Sequence, residues 1–327
     1  MTVNPINPGL SARRASPMDY VAIMRLDHAT KHVFVVPGII LASLLRGGQV
    51  TISAWPFFAG AIVAVLIASA NYVINEWLDR EFDALHPTKS QRTAVRTQLD
   101  GTVVWILWAC LVSLGLLIAL SASVTMTTIA IAFAAQGIVY NVKPLRTKDH
   151  AYLDVLSESI NNPFRLMIGW AMVDPTTLPP ASILIAYWLG GAFLMGAKRL
   201  SEYREIVATH GRDLLVRYRA SFAGYDEFRL TASCMVYALL SVTALAIFFV
   251  KYRIEYILIL PVVALLFGEY MALSMQPAST AQKPERLFEE RRLMVLVVAI
   301  SALFVFCTVV NIPVLQALTS QHYIQIR

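Results

Sequence analysis

The chain has 327 residues, long enough for two soluble domains, but 57% of them are hydrophobic and the mean hydropathy is +0.61. That composition excludes an ordinary soluble or disordered chain and makes the bilayer the expected solvent. The net charge of +6 is spread without any basic run interleaved with aromatics, which argues against a nucleic-acid partner.

Residues 1–32 read as a cytoplasmic tail and interfacial segment, since "MTVNPINPGLSARRAS" has two arginines but no apolar core of a cleaved signal. About nine apolar stretches long enough to cross a bilayer follow, allowing for Gly, Pro and Ser within them. They lie near 33–48, 52–75, 102–121, 123–140, 154–173, 180–197, 231–250, 255–275 and 293–316. Lipid-facing backbone must satisfy its own hydrogen bonds, and apolar runs this long do so as helices. The expected fold is therefore all-α, a polytopic bundle forming one membrane domain over 33–316 with a short tail at 317–327. Cys110, Cys234 and Cys307 fall inside spans without metal-ligand spacing and read as packing residues.

Alternate loops of a nine-span chain share a side, and 22 of the 27 lysines and arginines then collect on one side. By the positive-inside pattern this is the cytoplasm, which would receive the N-terminus and every long polar loop. The expected location is an inner or plasma membrane of a bacterium.

The second span leaves the apolar region through "NYVINEWLDREFDALHPTKSQRTA", residues 71–94. On a continued helix Asn71, Asn75, Asp79 and Asp83 recur every four residues, drifting about 40° per step. Carboxylates stacked on one face repel unless a cation joins them. Asp and Asn oxygens suit Mg²⁺, which takes one or two carboxylates together with phosphate oxygens of a substrate. Asn75, Asp79 and Asp83 are thus candidate metal and catalytic residues, with Lys89 and Arg92 as candidate diphosphate ligands. A solvated helix end is the competing explanation. Glu76 and Glu81, off the stripe, are expected to face water.

Asn75-Glu76-Trp77-Leu78-Asp79-Arg80-Glu81-Phe82-Asp83 resembles the NDxxDxxxD motif of the UbiA superfamily of intramembrane prenyltransferases, and "LHPTKSQR" resembles the HPxKxxRP tail that follows it. Glu76 and Thr93 depart from that pattern. The resemblance implies a membrane transferase that uses Mg²⁺, a diphosphate-containing donor and an isoprenoid lipid substrate. The next polar loop, "YNVKPLRTKDHAYLDVLSES", resembles the family's Tyr-Ser-x-Pro-Pro-x-Arg-x-Lys stretch through Tyr140, Pro144, Arg146 and Lys148, which could hold phosphate at the membrane surface.

The fifth span opens with Asp154, Glu158, Asn161, Asn162 and Arg165 on one helix face, read either as a wall of the substrate cavity or as an ion pair joining helices. The sixth ends in "GGAFLMGAKRLSEYRE". Lys198, Arg199 and Glu202 stand where many of these enzymes carry a second acidic motif, so a second acidic metal site is weak. The segment looks like an Ala-Gly-Lys-Arg-x-x-Glu signature of the subgroup that transfers phosphoribose to polyprenyl phosphate, and Arg25 with Lys31 matches part of that subgroup's N-terminal motif. The lean is toward phosphoribosyl transfer onto a polyprenyl phosphate, with the Lys198–Arg199 pair receiving the lipid phosphate. The alternatives are prenyl transfer to an aromatic, quinone-precursor or tetrapyrrole acceptor, and a membrane transporter.

Overall fold

The computed structural model describes residues 13–46, 53–277, 279–282 and 289–318, without the side chains of 28–31. The side chain of Lys31, residues 1–12 of the expected N-terminal segment and residues 319–327 of the expected C-terminal tail therefore lie outside the described residues. In chain order the helices are α1 (Pro17–Ala22), α2 (Val36–Arg46), α3 (Ala54–Leu78), α4 (Arg80–Asp83), α5 (Thr93–Arg96), α6 (Gly101–Ala122), α7 (Val124–Asn141), α8 (Leu153–Ser159) and α9 (Asn161–Ala171). They continue with α10 (Ala181–His210), α11 (Arg212–Tyr218), α12 (Glu227–Tyr252), α13 (Leu260–Ser274), α14 (Arg291–Val309) and α15 (Pro313–Leu318). The single sheet among the described residues is a two-residue parallel pair, Arg13–Arg14 beside Thr97–Gln98.

Among the described residues seven helical segments are long and apolar enough to cross a membrane, which makes this an all-helical, multi-pass membrane protein. The other two expected spans are shorter. Within the expected 33–48 stretch the described residues form the apolar helix His32–Arg46, entered through a 3-10 stretch over Leu26–Val35. The 154–173 stretch is two helices, α8 and α9, rather than one. Pro163 accounts for the division: it has no N–H to give Ser159 and is tolerated only in a first helical turn, where α9 places it. Termini elsewhere follow local caps. Asp100 accepts from Thr102 and Val103 N–H groups to start α6, and Ser123 alone turns the chain and caps α7 through Met126 N–H at 3.0 Å.

The described residues divide into two compact units. The first takes the chain up to Pro179 together with His210–Tyr225; the second takes Pro180–Thr209 and everything from Asp226. In the first, one face of α3 (Ala59, Val63, Ala64, Ile67, Ala68) packs on α7 (Met126, Ile129, Ala130, Phe133, Ala134) and on Ile168, Ala171 and Met172. Small residues dominate that seam, because in lipid close approach and dispersion, not the hydrophobic effect, hold helices together. In the second, Ser241 Oγ on α12 donates to Ala186 O on α10 at 2.8 Å, and Tyr256 stacks on Phe304 of α14.

Glycines set two helix contacts in the first unit. A Cβ on Gly38 of α2 would lie 2.0 Å from Leu166 O, and one on Gly169 of α9 would lie 2.0 Å from Val35 O, so the two backbones cross at reciprocal glycines. On α7, a Cβ on Gly137 would lie 1.9 Å from Asn71 Oδ1, while Asn71 Nδ2 donates to Phe133 O at 2.9 Å. Gly38→Ala, Gly169→Ala and Gly137→Ala should each cost about 1–3 kcal/mol through overpacking. Gly268→Ala, inside α13 and meeting nothing within 4 Å, should be unchanged or stabilised by up to about 1 kcal/mol. Thermal unfolding of the purified protein in detergent reads all four; equal midpoints would contradict the packing described.

Candidate active site

The candidate site lies in the first unit, where α3 ends and the segment after α7 returns. Asp79 caps α3 and α4 follows directly, with helical hydrogen bonds across the junction: Asp79 N–H bonds Asn75 O at 3.0 Å, and Asp83 N–H bonds Asp79 O at 2.7 Å. The expected stripe of Asn75, Asp79 and Asp83 therefore survives one turn past the end of the long helix. Asp79 Oδ1 meets Lys148 Nζ at 2.6 Å and Arg146 Nη2 at 2.9 Å, and Asp83 Oδ2 meets Arg92 Nη1 at 2.6 Å.

The two bases on Asp79 are themselves held. Arg146, at φ +23°, donates from Nε to Asp149 at 2.9 Å and from Nη1 to Asn141 O at 3.0 Å, with its guanidinium over the Phe82 ring. Lys148 Nζ donates to Asn141 Oδ1 at 2.7 Å and lies over the Tyr140 ring. Burial alone would raise the Asp79 carboxyl, but Lys148, Arg146 and Arg219 outweigh it and hold the group below the usual carboxylate range. Burial works the other way on Lys148; Asp79 offsets it only in part and Arg146 adds repulsion, so the amine falls to about 8.

The other expected residues of the first unit have their own partners. Lys89 Nζ lies over the ring of Tyr218, whose edge meets His86 at a centroid distance of 4.6 Å. His86 Nδ1 accepts from the N–H groups of Thr88 and Lys89, fixing the loop between α4 and α5. Tyr140 donates its hydroxyl to Glu158 Oε2 at 2.9 Å. Asp154 is fully buried and receives Arg219 Nη2 at 3.2 Å, Ser221 Oγ at 3.0 Å and Tyr225 Oη at 2.7 Å. Arg165, beyond the α8–α9 division, donates to Asn161 O and Asn162 Oδ1 and lies over the Phe133 ring.

Lys198, Arg199 and Glu202 belong to α10 in the second unit, where Arg199 Nη1 and Glu202 Oε2 pair at 3.1 Å and both side chains are buried. Glu205, one turn on, accepts from Gln282 Nε2 at 2.5 Å.

Two features depart from the sequence reading. Glu81 is exposed as expected, but Glu76 is buried at 4% exposure. Its Oε2 meets Arg25 Nη1 at 3.4 Å and its Oε1 accepts from Ala94 N–H at 3.5 Å. The face of α3 away from the stripe is thus covered by the chain on either side of it, not by water. The other is Arg219, which the sequence reading counted only as an orienting base; the neighbouring Ser221 and Tyr225 in "RYRASFAGYDE" gave no motif by which to single it out.

Asn75, Asp79 and Asp83 offer only hard oxygen donors, the set a small divalent cation accepts. Among the described residues no three His, Cys, Asp or Glu side chains converge tightly enough to hold a metal by themselves, so such an ion would draw further oxygens from phosphate and water. Each acid is matched with a base, so a cation arriving at the carboxylates would leave bases ready for phosphate. In metal-free protein, Asp79→Asn removes the charge that raises Lys148, so its titration near 8 should move lower, while Arg146→Gln should move it higher. Nitrogen NMR of lysine-labelled protein reads both shifts; unchanged titration would contradict the pairing.

Residues 35–297 match the model of the UbiA prenyltransferase family. Protoheme IX farnesyltransferase of Geobacillus kaustophilus is 31% identical over 147 residues, covering 43% of this chain and 46% of that one. Nodulation protein NoeC of Azorhizobium caulinodans is 27% identical over 165 residues, covering 50% and 51%. The chain spans about half the length of these curated relatives. A UbiA homologue from Archaeoglobus fulgidus, solved bound to DMAPP and Mg²⁺, shares the fold at a TM-score of 0.65 and 17% identity, over 89% of this chain and 100% of that one. With the family match running through most of its length, including the Asp79–Asp83 helix end and the Tyr140–Lys148 loop, the protein belongs to the UbiA prenyltransferase family.

Proposed function

We propose that the protein is a Mg²⁺-dependent transferase that moves the isoprenoid group of a prenyl diphosphate onto an acceptor, with diphosphate as leaving group. The observation that carries this is the Asp79 carboxylate held between Lys148 and Arg146, with Asp83 and Arg92 paired one turn beyond. Acids in register at a helix end and bases that can change partners are what a metal-bound diphosphate needs. The Archaeoglobus fulgidus homologue, solved with DMAPP and Mg²⁺, and the farnesyltransferase relative support the same donor class. A transferase family also sets the transporter alternative aside.

In this reading Asn75, Asp79 and Asp83 hold the Mg²⁺. Bound there, the ion supplies charge stabilisation to the departing diphosphate. Lys89, Arg92, Arg146 and Lys148 bind the diphosphate oxygens and stabilise the charge that grows as the C1–O bond breaks. C1 takes allylic cation character and the acceptor's electron pair closes the new bond there, while diphosphate leaves with the electrons of the old one. Tyr140 orients Lys148 from beneath and is itself oriented by Glu158. Arg165, with its guanidinium over Phe133, forms part of the polar wall of the substrate cavity. The farnesyltransferase relative, named for protoheme IX, favours a tetrapyrrole among the acceptor classes. The charge asymmetry of the loops supports a site at the cytoplasmic face.

The second reading keeps the same leaving group and changes the donor to phosphoribosyl diphosphate, with a polyprenyl phosphate as nucleophile. One feature favours it: the α10 segment carries the buried Arg199–Glu202 pair and Lys198 where a second acidic motif would stand. None of the comparisons points specifically to a phosphoribosyl donor, so the prenyl-diphosphate reading leads.

Membranes containing the protein, given radiolabelled prenyl diphosphates with candidate acceptors, should form labelled lipid product only with Mg²⁺, and chelation should abolish it. Asp79→Asn and Asp83→Asn should each lower kcat/KM by about 10²–10³-fold, the scale of losing a charge-stabilising group. Turnover without Mg²⁺, or full activity in both variants, would sink the proposal. Product appearing only from phosphoribosyl diphosphate plus polyprenyl phosphate would select the second reading.

A further inference from the structure

We propose that Arg219 is a further diphosphate-binding residue, delivered to the site by the segment His210–Tyr225 and aimed there by Asp154. The inference rests on the diphosphate reading above and adds to it a cation far along the chain from either motif.

The local structure explains the delivery. Helix α11 stops at Tyr218, and Arg219 is extended at φ −151° and ψ 107°, which turns its side chain out of the helix direction. A short 3-10 turn over Ala220–Gly224 then brings Ser221 and Tyr225 back toward the same point. Arg219 Nη2 donates both to Tyr140 Oη and to Asp154 Oδ2, each at 3.2 Å, and Arg219 Nε donates to Ser221 Oγ at 3.2 Å.

From the sequence, Asp154 reads either as part of the substrate-cavity wall or as the acid of an ion pair joining helices. It is fully buried, and both its oxygens accept from this segment: Oδ2 from Arg219 and Ser221, Oδ1 from Tyr225. Tyr225 Oη in turn accepts from Tyr152 N–H at 2.5 Å. A carboxylate so engaged is a positioning residue that acts through Arg219.

Tyr140 joins this group to the centre of the site. Its hydroxyl accepts from Arg219 and donates to Glu158, and its ring lies beneath Lys148 Nζ, which is 2.6 Å from Asp79. Arg219 therefore stands one aromatic side chain from the Lys148–Asp79 pair, with its side chain 15% exposed. A flat guanidinium is suited to phosphate oxygens, which it can meet with parallel N–H groups.

A purely structural role predicts something different. If the Arg219–Asp154 pair only fastened the segment, its loss would lower the melting temperature and leave ligand affinity in the folded protein unchanged. The test is titration calorimetry of purified full-length protein in detergent with inorganic diphosphate and Mg²⁺, alongside melting curves. Arg219→Gln should weaken binding about 10- to 100-fold, the scale of one lost charge-assisted contact. Arg219→Lys should recover part of that loss because it keeps the charge. Ser221→Ala, which removes one aiming hydrogen bond from Arg219 and one from Asp154, should weaken binding several-fold and keeps the test open if Arg219→Gln does not fold. Wild-type binding with unchanged affinity in Arg219→Gln, or in Ser221→Ala where that variant alone folds, overturns this inference and spares the functional reading. Failure of the wild type to bind diphosphate with Mg²⁺ overturns both.

Discussion

The carboxylate of Asp79, buried at the end of a membrane helix, cannot keep its charge without cations close by, and the arrangement of the first unit follows from supplying them. Lys148 and Arg146 come from a segment 67 or more residues further along, and each is tied back to Asn141 at the end of α7. One acid at the end of α3 is thus linked through two bases to the end of α7. Removing one partner of such a buried pair leaves the other uncompensated, typically at about 3–5 kcal/mol, so the group is specified as a whole. It is also the chemistry a metal–diphosphate complex can use, because every charge in it can be handed to an incoming ion of opposite sign.

Two layers of structure make that arrangement possible. Deeper in the membrane, reciprocal glycines on α2 and α9 and the Asn71–Gly137 contact bring helix backbones close enough to act as a rigid support. Nearer the polar end the charged side chains form two tiers, Asp79 with Lys148 and Arg146, and Asp154 with Arg219, Ser221 and Tyr225. Tyr140 touches both tiers, through its ring and through its hydroxyl. The polar tiers depend on the apolar support, since a displacement of about 1 Å at either helix end would break bonds of 2.6–2.9 Å.

What the amino-acid sequence made legible was local. Asn75, Asp79 and Asp83 could be placed on one face from spacing alone, and the two turns of hydrogen bonds from Asn75 to Asp83 match that register. Long apolar runs were equally clear, and so was the all-helical bundle. The choice of partner was not legible, because pairing across 67 or 128 residues, as in Asp79–Arg146 or Arg46–Asp174, depends on how helices pack. Glu76 was misread for that reason: helix periodicity separates faces but does not say that Arg25 and Ala94 will cover one of them. Pro163 marks the division of the fifth apolar stretch, where the apolar pattern alone reads as one continuous span. Arg219 was hidden by the orientation rule, which explains every base at that face equally well and so distinguishes none.

The central claim is that the helix end at Asn75, Asp79 and Asp83 holds a divalent cation together with a diphosphate. Mn²⁺ in place of Mg²⁺ gives this a direct spectroscopic reading, by electron–nuclear double resonance on protein loaded with Mn²⁺ and inorganic diphosphate. A phosphorus coupling to the bound Mn²⁺ that disappears in Asp79→Asn and Asp83→Asn is the predicted result. No bound Mn²⁺ in the presence of diphosphate, or a phosphorus coupling unchanged by both substitutions, would contradict the account.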